Sequence, residues 1–190
     1  MRITAATVEE IAHQARTGRI VFVDTETTGL GADDEICQIA ALEYVGGRPG
    51  RSLALYLKPT CGMNPGAQRV HGLSLEFLAT HGLEPAQGMR RFVEFLGEDA
   101  LFVAHNVPFD RGMIERECRR FGVALDWSGR QTCDTLALAR RLRPGLGCYA
   151  LGRLLESLGV DGVNSHDALD DVRACAGVFF CLIGGGEKCD

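Results

Sequence analysis

The sequence predicts an α/β fold in which a mixed sheet of five strands is covered by helices on both faces. Short apolar runs typical of strands come first, joined by short connections as in an antiparallel meander. Later strands alternate with amphipathic helical segments, as in parallel arrangements. The length of 190 residues suits one domain with a sizeable core, so we expect residues 1–190 to form a single domain.

The first half of the chain is expected to contain one helix, three strands and three short helical segments. Strands are indicated by apolar, often β-branched runs, and helices by apolar residues that recur every three or four positions. The clearest helix is 85–96, where Met89, Phe92 and Leu96 fall on one stripe. In order, the expected elements are a helix at 7–17 within the segment 1–18, strands at 20–24, 35–45 and 51–58, and three helical segments within 65–97.

The second half of the chain alternates between strands and helices. Pro144 and Gly145 end one of these helices. The residues after the last helix lack apolar periodicity, so we expect a frayed tail at 184–190. In order, the expected elements are a strand at 100–104, a helix at 109–121, a short strand at 131–133, and helices at 135–143, 149–158 and 167–183.

Composition argues against several classes of protein. No apolar stretch is long enough to span a bilayer, and the N-terminus lacks the apolar core of a signal peptide. The eight cysteines include no Cys-x-x-Cys pair, so we expect reduced structural thiols in a cytoplasmic protein rather than a disulfide framework or a zinc site. The net charge of −5 argues against a protein that coats nucleic acid by bulk attraction.

Arginine is unevenly distributed along the chain. Between Arg90 and Arg153 there are eleven arginines and eight acidic residues, and eighteen of the twenty basic residues are arginine. Two explanations stay open. The bias reflects genomic composition, since Ala and Gly are also abundant, or it reflects contacts with phosphate groups.

The most informative segment is IVFVDTETTG at residues 20–29. Side chains two apart on a strand share a face, so Asp24 and Glu26 are expected to project together from the end of a buried strand. Two carboxylates this close repel unless they share a proton or bind a cation, and Mg²⁺ prefers oxygen ligands. The Thr-Thr-Gly that follows offers hydroxyls and a glycine for close approach to a ligand. Taken alone, the Asp-x-Glu pattern is more often a strand end with two solvated acids.

A second acidic motif follows the fourth predicted strand. Here His105 and Asn106 precede Asp110. The position is a carboxyl end of the sheet, where ligands bind in open α/β folds. Asp110 falls in the first turn of the next helix, so the alternative is an acid that only complements the helix dipole, worth ~0.3–1 kcal/mol.

A third motif lies at the start of the last predicted helix. If Asp167 is the N-cap, His166 precedes it and Asp171 falls at the fourth helical position. Those two positions are neighbours at a capped helix start, so both side chains are expected to face one site. The alternative is an acidic helix start with an incidental histidine. Other acids are assigned elsewhere: Asp134 is expected to be an N-cap, and Asp33, Asp34 and Asp99 solvated turn acids.

The ordered set of motifs resembles one enzyme family. DTETTG at 24–29, His-Asn at 105–106 with Asp110, and His166 with Asp171 are similar to the His-type DEDD 3′–5′ exonucleases. The chain resembles in particular the exonuclease domain of the proofreading epsilon subunit of bacterial DNA polymerase III. The resemblance covers residues 19–178 and includes Leu57-Lys58-Pro59, Val70-His71-Gly72 and the segment 134–140.

This resemblance implies a ribonuclease H-like fold and a two-metal-ion 3′–5′ exonuclease that releases nucleoside monophosphates from single-stranded or frayed DNA ends. It implies two divalent cations, Mg²⁺ or Mn²⁺, with Asp24 best placed to bridge them. The spacing His-x4-Asp selects Asp171 over Asp170. The implied roles are metal ligands for Asp24, Glu26, Asp110 and Asp171, general base for His166, and contacts near the 3′ end for Thr27, Leu30, His71 and Asn106.

Some features leave alternatives open. Gly66 stands where close relatives often carry a glutamate near the substrate, and Leu30 either wedges against the terminal base or only packs. The metal motifs do not separate DNA from RNA trimming, although DNA is favoured. A proofreading subunit bound to a polymerase is disfavoured because the chain ends soon after its last predicted helix. A catalytically dead binding module and a metal-dependent phosphatase or pyrophosphohydrolase fit the motifs less well.

Overall fold

The computed structural model describes residues 7–184 and contains the predicted five-stranded mixed sheet. Its strands are β1 (Arg19–Thr27), β2 (Ile36–Val45), β3 (Arg48–Tyr56), β4 (Leu101–Ala104) and β5 (Thr132–Asp134). They lie in the order β3-β2-β1-β4-β5. The β1–β2 and β2–β3 pairs are antiparallel, whereas β1–β4 and β4–β5 are parallel, so β1 occupies the centre of the sheet.

Helices cover both faces of this sheet, as predicted. One apolar core lies between the sheet and α1, α6, α7 and α8, and a second lies between the sheet and α4 and α5. The helices of the described residues are α1 (Val8–Thr17), α2 (Pro65–His71), α3 (Leu75–His81), α4 (Pro85–Leu96), α5 (Val107–Arg120), α6 (Thr135–Leu142), α7 (Leu151–Leu158) and α8 (Ala168–Leu182).

The central strand β1 contributes to both cores. Phe22 faces the core under α8, and Val23 faces the core under α4 and α5. Because side chains alternate along a strand, Asp24 and Glu26 continue the row of Phe22. The strand extends to Thr27, three residues beyond the predicted end, since its last residues stay paired with β2.

Other boundaries that differ from the predictions are those of α5, α7 and β3. Helix α5 starts two residues early, at Val107, because a proline at position 108 is compatible with the first helical turn. Helix α7 starts after Tyr149, whose carbonyl oxygen accepts a hydrogen bond from His105 Nε2 at 3.0 Å. Strand β3 starts and ends earlier than predicted, and beyond it Leu57 makes only an isolated bridge.

The cysteines of the described region are all free thiols, and Cys37, Cys118, Cys133 and Cys175 are buried. None of the helices between residues 7 and 184 is long and apolar enough to cross a membrane. Cys189 and all but the first residue of the predicted tail at 184–190 lie outside the described residues, as do residues 1–6. The single-domain organisation stays a prediction.

Candidate active site

Acidic side chains from three elements meet at the end of β1. Asp24 and Glu26 are half-buried on the strand itself, Asp110 is buried in the first turn of α5, and Asp171 is buried in the first turn of α8. Helices α5 and α8 lie on opposite faces of the sheet, so their first turns flank the strand end from both sides. Thr25 joins β1 to α5, because its hydroxyl donates to Asp110 Oδ1 at 2.8 Å.

These carboxylates hold protons more tightly than isolated acids. Burial and then the charges of Asp110 and Glu26 raise the pKa of Asp24 well above its ordinary value. Burial, Asp171 and Asp110 raise the pKa of Glu26 to about 8. Burial raises the pKa of Asp110 to about 7 and also raises that of Asp171. The fully ionised cluster is therefore electrostatically unfavourable in the metal-free protein. A bound cation would stabilise the ionised carboxylates.

Side-chain atoms of the cluster fit a cation. One potential ligand atom each from Glu26, His166 and Asp171 lie within 4.8 Å of one another. Oxygen-rich sites of this kind suit hard divalent cations. His166 is exposed at the edge of the cluster, and its backbone has a φ of 58°, in the left-handed region that non-glycine residues seldom adopt.

The loop before α8 holds Asp171 by both carboxylate oxygens. Asn164 Nδ2 donates to Oδ2 at 2.6 Å, and the Ser165 backbone N–H donates to Oδ1 at 3.1 Å. The neighbouring Asp170 instead accepts from the Ser165 hydroxyl and from Arg173, each at 3.1 Å. The two adjacent acids therefore have different partners, and Asp171 is the one that lies beside Glu26 and His166.

Gln38 fastens the start of α8 to the sheet. It lies on β2 opposite Glu26 and is buried. Its Nε2 donates to Asp167 Oδ2 at 2.9 Å, and its Oε1 accepts from the Ala168 N–H at 3.2 Å. Asp167 is the predicted N-cap, and its other carboxylate oxygen accepts from the first-turn N–H groups of α8. His166 therefore lies between two anchored segments. The residues before it, Asn164 and Ser165, bind Asp171, and the residues after it, Asp167 and Ala168, bind Gln38.

Replacing Gln38 with leucine is expected to destabilise the protein by about 2 kcal/mol, because Asp167 and the Ala168 N–H lose buried hydrogen bonds. It is also expected to lower any catalytic turnover at this site roughly 10–100-fold, the usual cost of losing support behind a metal ligand. Urea unfolding and turnover well below the unfolding temperature check the two effects. Gln87→Leu, at an exposed position of α4, serves as the matched control. If the Gln38→Leu variant turned over substrate at the wild-type rate, the anchoring role of Gln38 would be contradicted.

Four further residues of the predicted site lie near this cluster or on the loops that leave it. Thr27 is buried, and its hydroxyl donates to the Gly29 carbonyl at 2.7 Å. His71 Nε2 lies 3.3 Å from the Thr27 carbonyl, and its Nδ1 accepts from the Leu73 N–H at 3.0 Å. Both ring nitrogens are therefore engaged, which leaves the ring itself as the surface that His71 can offer to a ligand. Burial lowers the pKa of His71, so the neutral ring is favoured.

Leu30 and Asn106 are exposed. The side chain of Leu30 is 85% exposed, which contradicts a simple packing role in the free protein. Asn106 has a φ of 83°, and its backbone N–H donates to Asp134 Oδ1 at 3.1 Å. Residues held in this backbone region by their surroundings concentrate at functional sites.

The loop after β1 has a different organisation from the one predicted. Asp34 was predicted to be a solvated turn acid, but it accepts from the Thr28 hydroxyl at 2.9 Å and from the Gly31 N–H at 2.6 Å. A side chain at Gly29 would meet the Asp34 carboxylate at 2.5 Å. Glycine at position 29 therefore leaves room for the Asp34 carboxylate, which binds the Gly31 N–H within the loop that carries the exposed Leu30.

Three supporting residues are not among those predicted from the sequence, namely Thr25, Gln38 and Asn164. The available signal for Gln38 is an amide within the apolar run Ile36–Leu42 of β2, because a buried amide requires a hydrogen-bond partner. His105, by contrast, belongs to a predicted motif but has a structural role. Its Nδ1 lies 2.9 Å from Thr135 Oγ1, and its Nε2 bonds the Tyr149 carbonyl.

Comparisons with known proteins place these features in context. A family model described as Exonuclease, RNase_T, matches residues 21–179. The chain is 33% identical over 179 residues to the DNA polymerase III subunit epsilon of Pasteurella multocida, an alignment that covers 88% of this chain and 69% of that protein.

Solved structures show the same fold. The zinc-bound form of an Escherichia coli exonuclease I complex with single-stranded DNA matches with a TM-score of 0.74 and 25% identity, over 84% of this chain and 39% of that one. Exonuclease X in complex with 5′ overhanging duplex DNA matches with a TM-score of 0.68 and 23% identity, over 87% and 91% of the two chains. The fold is therefore ribonuclease H-like, as predicted, and this chain spans about two fifths of the exonuclease I chain.

Proposed function

We propose, because the chain belongs to the exonuclease family, that it removes nucleoside monophosphates one at a time from the 3′ ends of single-stranded or frayed DNA. The observation that carries the proposal is the convergence of four carboxylates and His166 at the end of β1. DNA is favoured over RNA because the relatives include a DNA polymerase III subunit and an exonuclease I solved with single-stranded DNA.

The family depends on metal ions, and we propose two Mg²⁺ or Mn²⁺ ions for this chain. When bound, the cations would neutralise the scissile phosphate and acidify the attacking water. Asp24 interacts electrostatically with each of the other three acids, which favours it as the ligand shared by both cations. The residues that would hold the cations are Asp24, Glu26, Asp110 and Asp171.

In this mechanism His166 accepts the proton of the attacking water. It is exposed beside Glu26 and Asp171, and histidine exchanges protons most readily near neutral pH. Around it, the proposed contacts of the terminal nucleotide come from residues of β1, α2 and the loops next to the cluster. The nucleotide would meet the backbone around Thr27, the side chain of Leu30, the ring of His71 and the exposed Asn106.

Replacing His166 with glutamine is expected to lower turnover by about 10²–10⁴-fold, the usual contribution of a general base. Mn²⁺ affinity, measured by calorimetry without DNA, is expected to change much less, because the carboxylates stay in place. An equal loss of turnover and Mn²⁺ affinity would contradict the base assignment and make His166 a metal ligand.

Matched DNA and RNA oligonucleotides of one sequence, labelled at the 5′ end, test the proposed function directly. We expect a ladder that shortens from the 3′ end of DNA in Mg²⁺ or Mn²⁺ and disappears in EDTA. A ladder on RNA alone would keep the mechanism and change the substrate. No ladder on either strand would contradict the enzyme assignment for this chain by itself.

The similarity to an epsilon subunit also supports a DNA polymerase as a partner. Co-elution of the chain with a bacterial DNA polymerase III catalytic subunit in size-exclusion chromatography tests this proposal. Separate elution at micromolar concentrations would contradict a stable complex.

A further inference from the structure

A groove of about 350 Å³ begins beside the candidate active site and runs along α5. Its entrance is formed by Leu30, from the loop after β1, and by Phe109, which directly precedes Asp110. Its far end is lined by Arg116 and Arg119. Since positions three and four apart lie on one side of a helix, Phe109, Arg116 and Arg119 form a continuous face of α5.

The groove lining contains more positive than negative charge, although Arg116 also interacts electrostatically with the buried Glu117. Glu115, its acidic residue, pairs with Arg111 at 2.6 Å. Within residues 7–184, neither Arg116 nor Arg119 forms an ion pair with a carboxylate. The next arginine, Arg120, is committed to the buried Glu35 at 2.6 Å and does not contribute.

Arg116 is held in an unusual position for a surface arginine. It is half-buried, and its Nε is buried without a hydrogen-bond partner. One terminal nitrogen contacts only the sulfur of Met113, which also lines the groove. The terminal nitrogens are the donors that a ligand in the groove can reach, and within residues 7–184 no oxygen atom accepts a hydrogen bond from them. Phosphate oxygens match the donor geometry of a guanidinium group.

The spacing along α5 suits a nucleic-acid strand. Arg116 and Arg119 are six and nine residues beyond Asp110, which places them about 9 and 14 Å along the helix at ~1.5 Å per residue. A stacked strand advances ~3.4 Å per nucleotide and covers that distance in three to four nucleotides. The exposed Leu30 and the half-exposed Phe109 line the same groove beside Asp110, where apolar and aromatic side chains can pack against bases.

We propose that this groove binds the sugar–phosphate backbone of the strand upstream of the 3′-terminal nucleotide, with Arg116 and Arg119 each contacting a phosphate. The inference rests on the proposed exonuclease function. It attributes part of the arginine excess between Arg90 and Arg153 to phosphate contacts. Affinity for DNA should therefore increase with strand length over the first few nucleotides.

Binding of a 5′-fluorescein-labelled DNA 12-mer in EDTA tests the groove without cleavage. For the double variant Arg116→Gln/Arg119→Gln, the slope of log affinity against log salt should become shallower by about 1.4, at ~0.7 per phosphate contact on single strands. Affinity in 0.1 M salt should fall on the order of 20-fold, which follows from that slope. The advantage of a 12-mer over a dinucleotide should shrink accordingly.

The matched control removes two positive charges at the opposite end of the sheet. Arg16 and Arg48 are exposed near the turn between β2 and β3, far from the end of β1 that carries Asp24. The variant Arg16→Gln/Arg48→Gln should leave the salt slope unchanged. An equal effect of the two double variants, or an unchanged slope for Arg116→Gln/Arg119→Gln, would overturn the proposal.

A steric variant tests the same groove independently of charge. Gly112 lies on its wall, and a Cβ added there meets no atom within 4 Å. Gly112→Leu should therefore fill the groove while retaining the wild-type unfolding temperature, and it should weaken 12-mer binding. Wild-type binding by this variant would exclude the groove as the strand path. Because these assays contain no catalytic metal, they stay informative even if the chain proves unable to cleave DNA.

Discussion

Replacing Asp24 with asparagine is expected to reduce 3′ exonuclease turnover on the order of 10³-fold or more, the scale of losing a major electrostatic contribution. Asp24 lies in the central strand and interacts with Glu26, Asp110 and Asp171. Asparagine keeps the shape of the side chain but removes the charge that a shared metal ligand supplies. The fold should persist, because relief of repulsion among the remaining acids offsets the change.

Single-turnover cleavage of a 5′-labelled DNA strand in saturating Mn²⁺ measures this effect, and circular dichroism checks the fold. Asp99→Asn is the matched control, because Asp99 is exposed just before β4, at the opposite end of the sheet. If Asp24→Asn retained more than a tenth of the wild-type rate, the assignment of Asp24 as a catalytic metal ligand would be contradicted.

Divalent cations are expected to raise the unfolding temperature by about 5–10 °C. A ligand at 100 times its Kd stabilises the folded state by about 2.7 kcal/mol, and each kcal/mol shifts the midpoint of a chain of this size by about 2–4 °C. The physical source is the carboxylate cluster. Burial raises the pKa values of Asp24, Glu26 and Asp110, and the charges of neighbouring acids in the cluster raise those of Asp24 and Glu26 further.

The pH dependence of this stabilisation follows from the direction of those shifts. The pKa of Glu26 rises from 4.5 to about 8 on folding, so the metal-free folded protein binds more protons than the unfolded chain between these values. The metal-free stability should therefore fall as pH rises from about 4.5 to about 8. The temperature shift caused by Mn²⁺ should be larger at pH 8 than at pH 6.

Thermal unfolding of the wild-type protein and of Glu26→Gln, with and without Mn²⁺ at both pH values, checks this expectation. The variant should be more stable than the wild type without metal and should respond less to Mn²⁺. Identical Mn²⁺ shifts for both proteins, or no change with pH, would contradict the metal assignment of Glu26.

Much of the candidate site could be predicted from local sequence rules. The two-residue period of a strand places Asp24 and Glu26 on one face, and this needs no knowledge of the rest of the chain. Capping rules similarly identify Asp167 as the N-cap of α8, and the observed proximity of His166 to Asp171 follows from it.

The support around the site depends on distant pairings that local rules do not determine. Gln38 reaches Asp167 across 129 positions of the sequence, and Thr25 reaches Asp110 across 85. These contacts exist only because of the register of β1 with β2 and the seating of α5 and α8. Asp34 shows the same limit on a smaller scale, since its partners depend on how the loop folds back.

The distances between these paired residues also determine when the centre can appear during folding. Closing chain segments of 85 and 129 residues is entropically costly and kinetically slow, so such contacts form late. Before α8 docks, β1 already carries two acids, but Asp171 and His166 are not beside them. We therefore expect a partly folded or nascent chain to lack hydrolytic activity until α8 has docked. A nuclease assembled in this way would not degrade nucleic acid while its own chain is still incomplete.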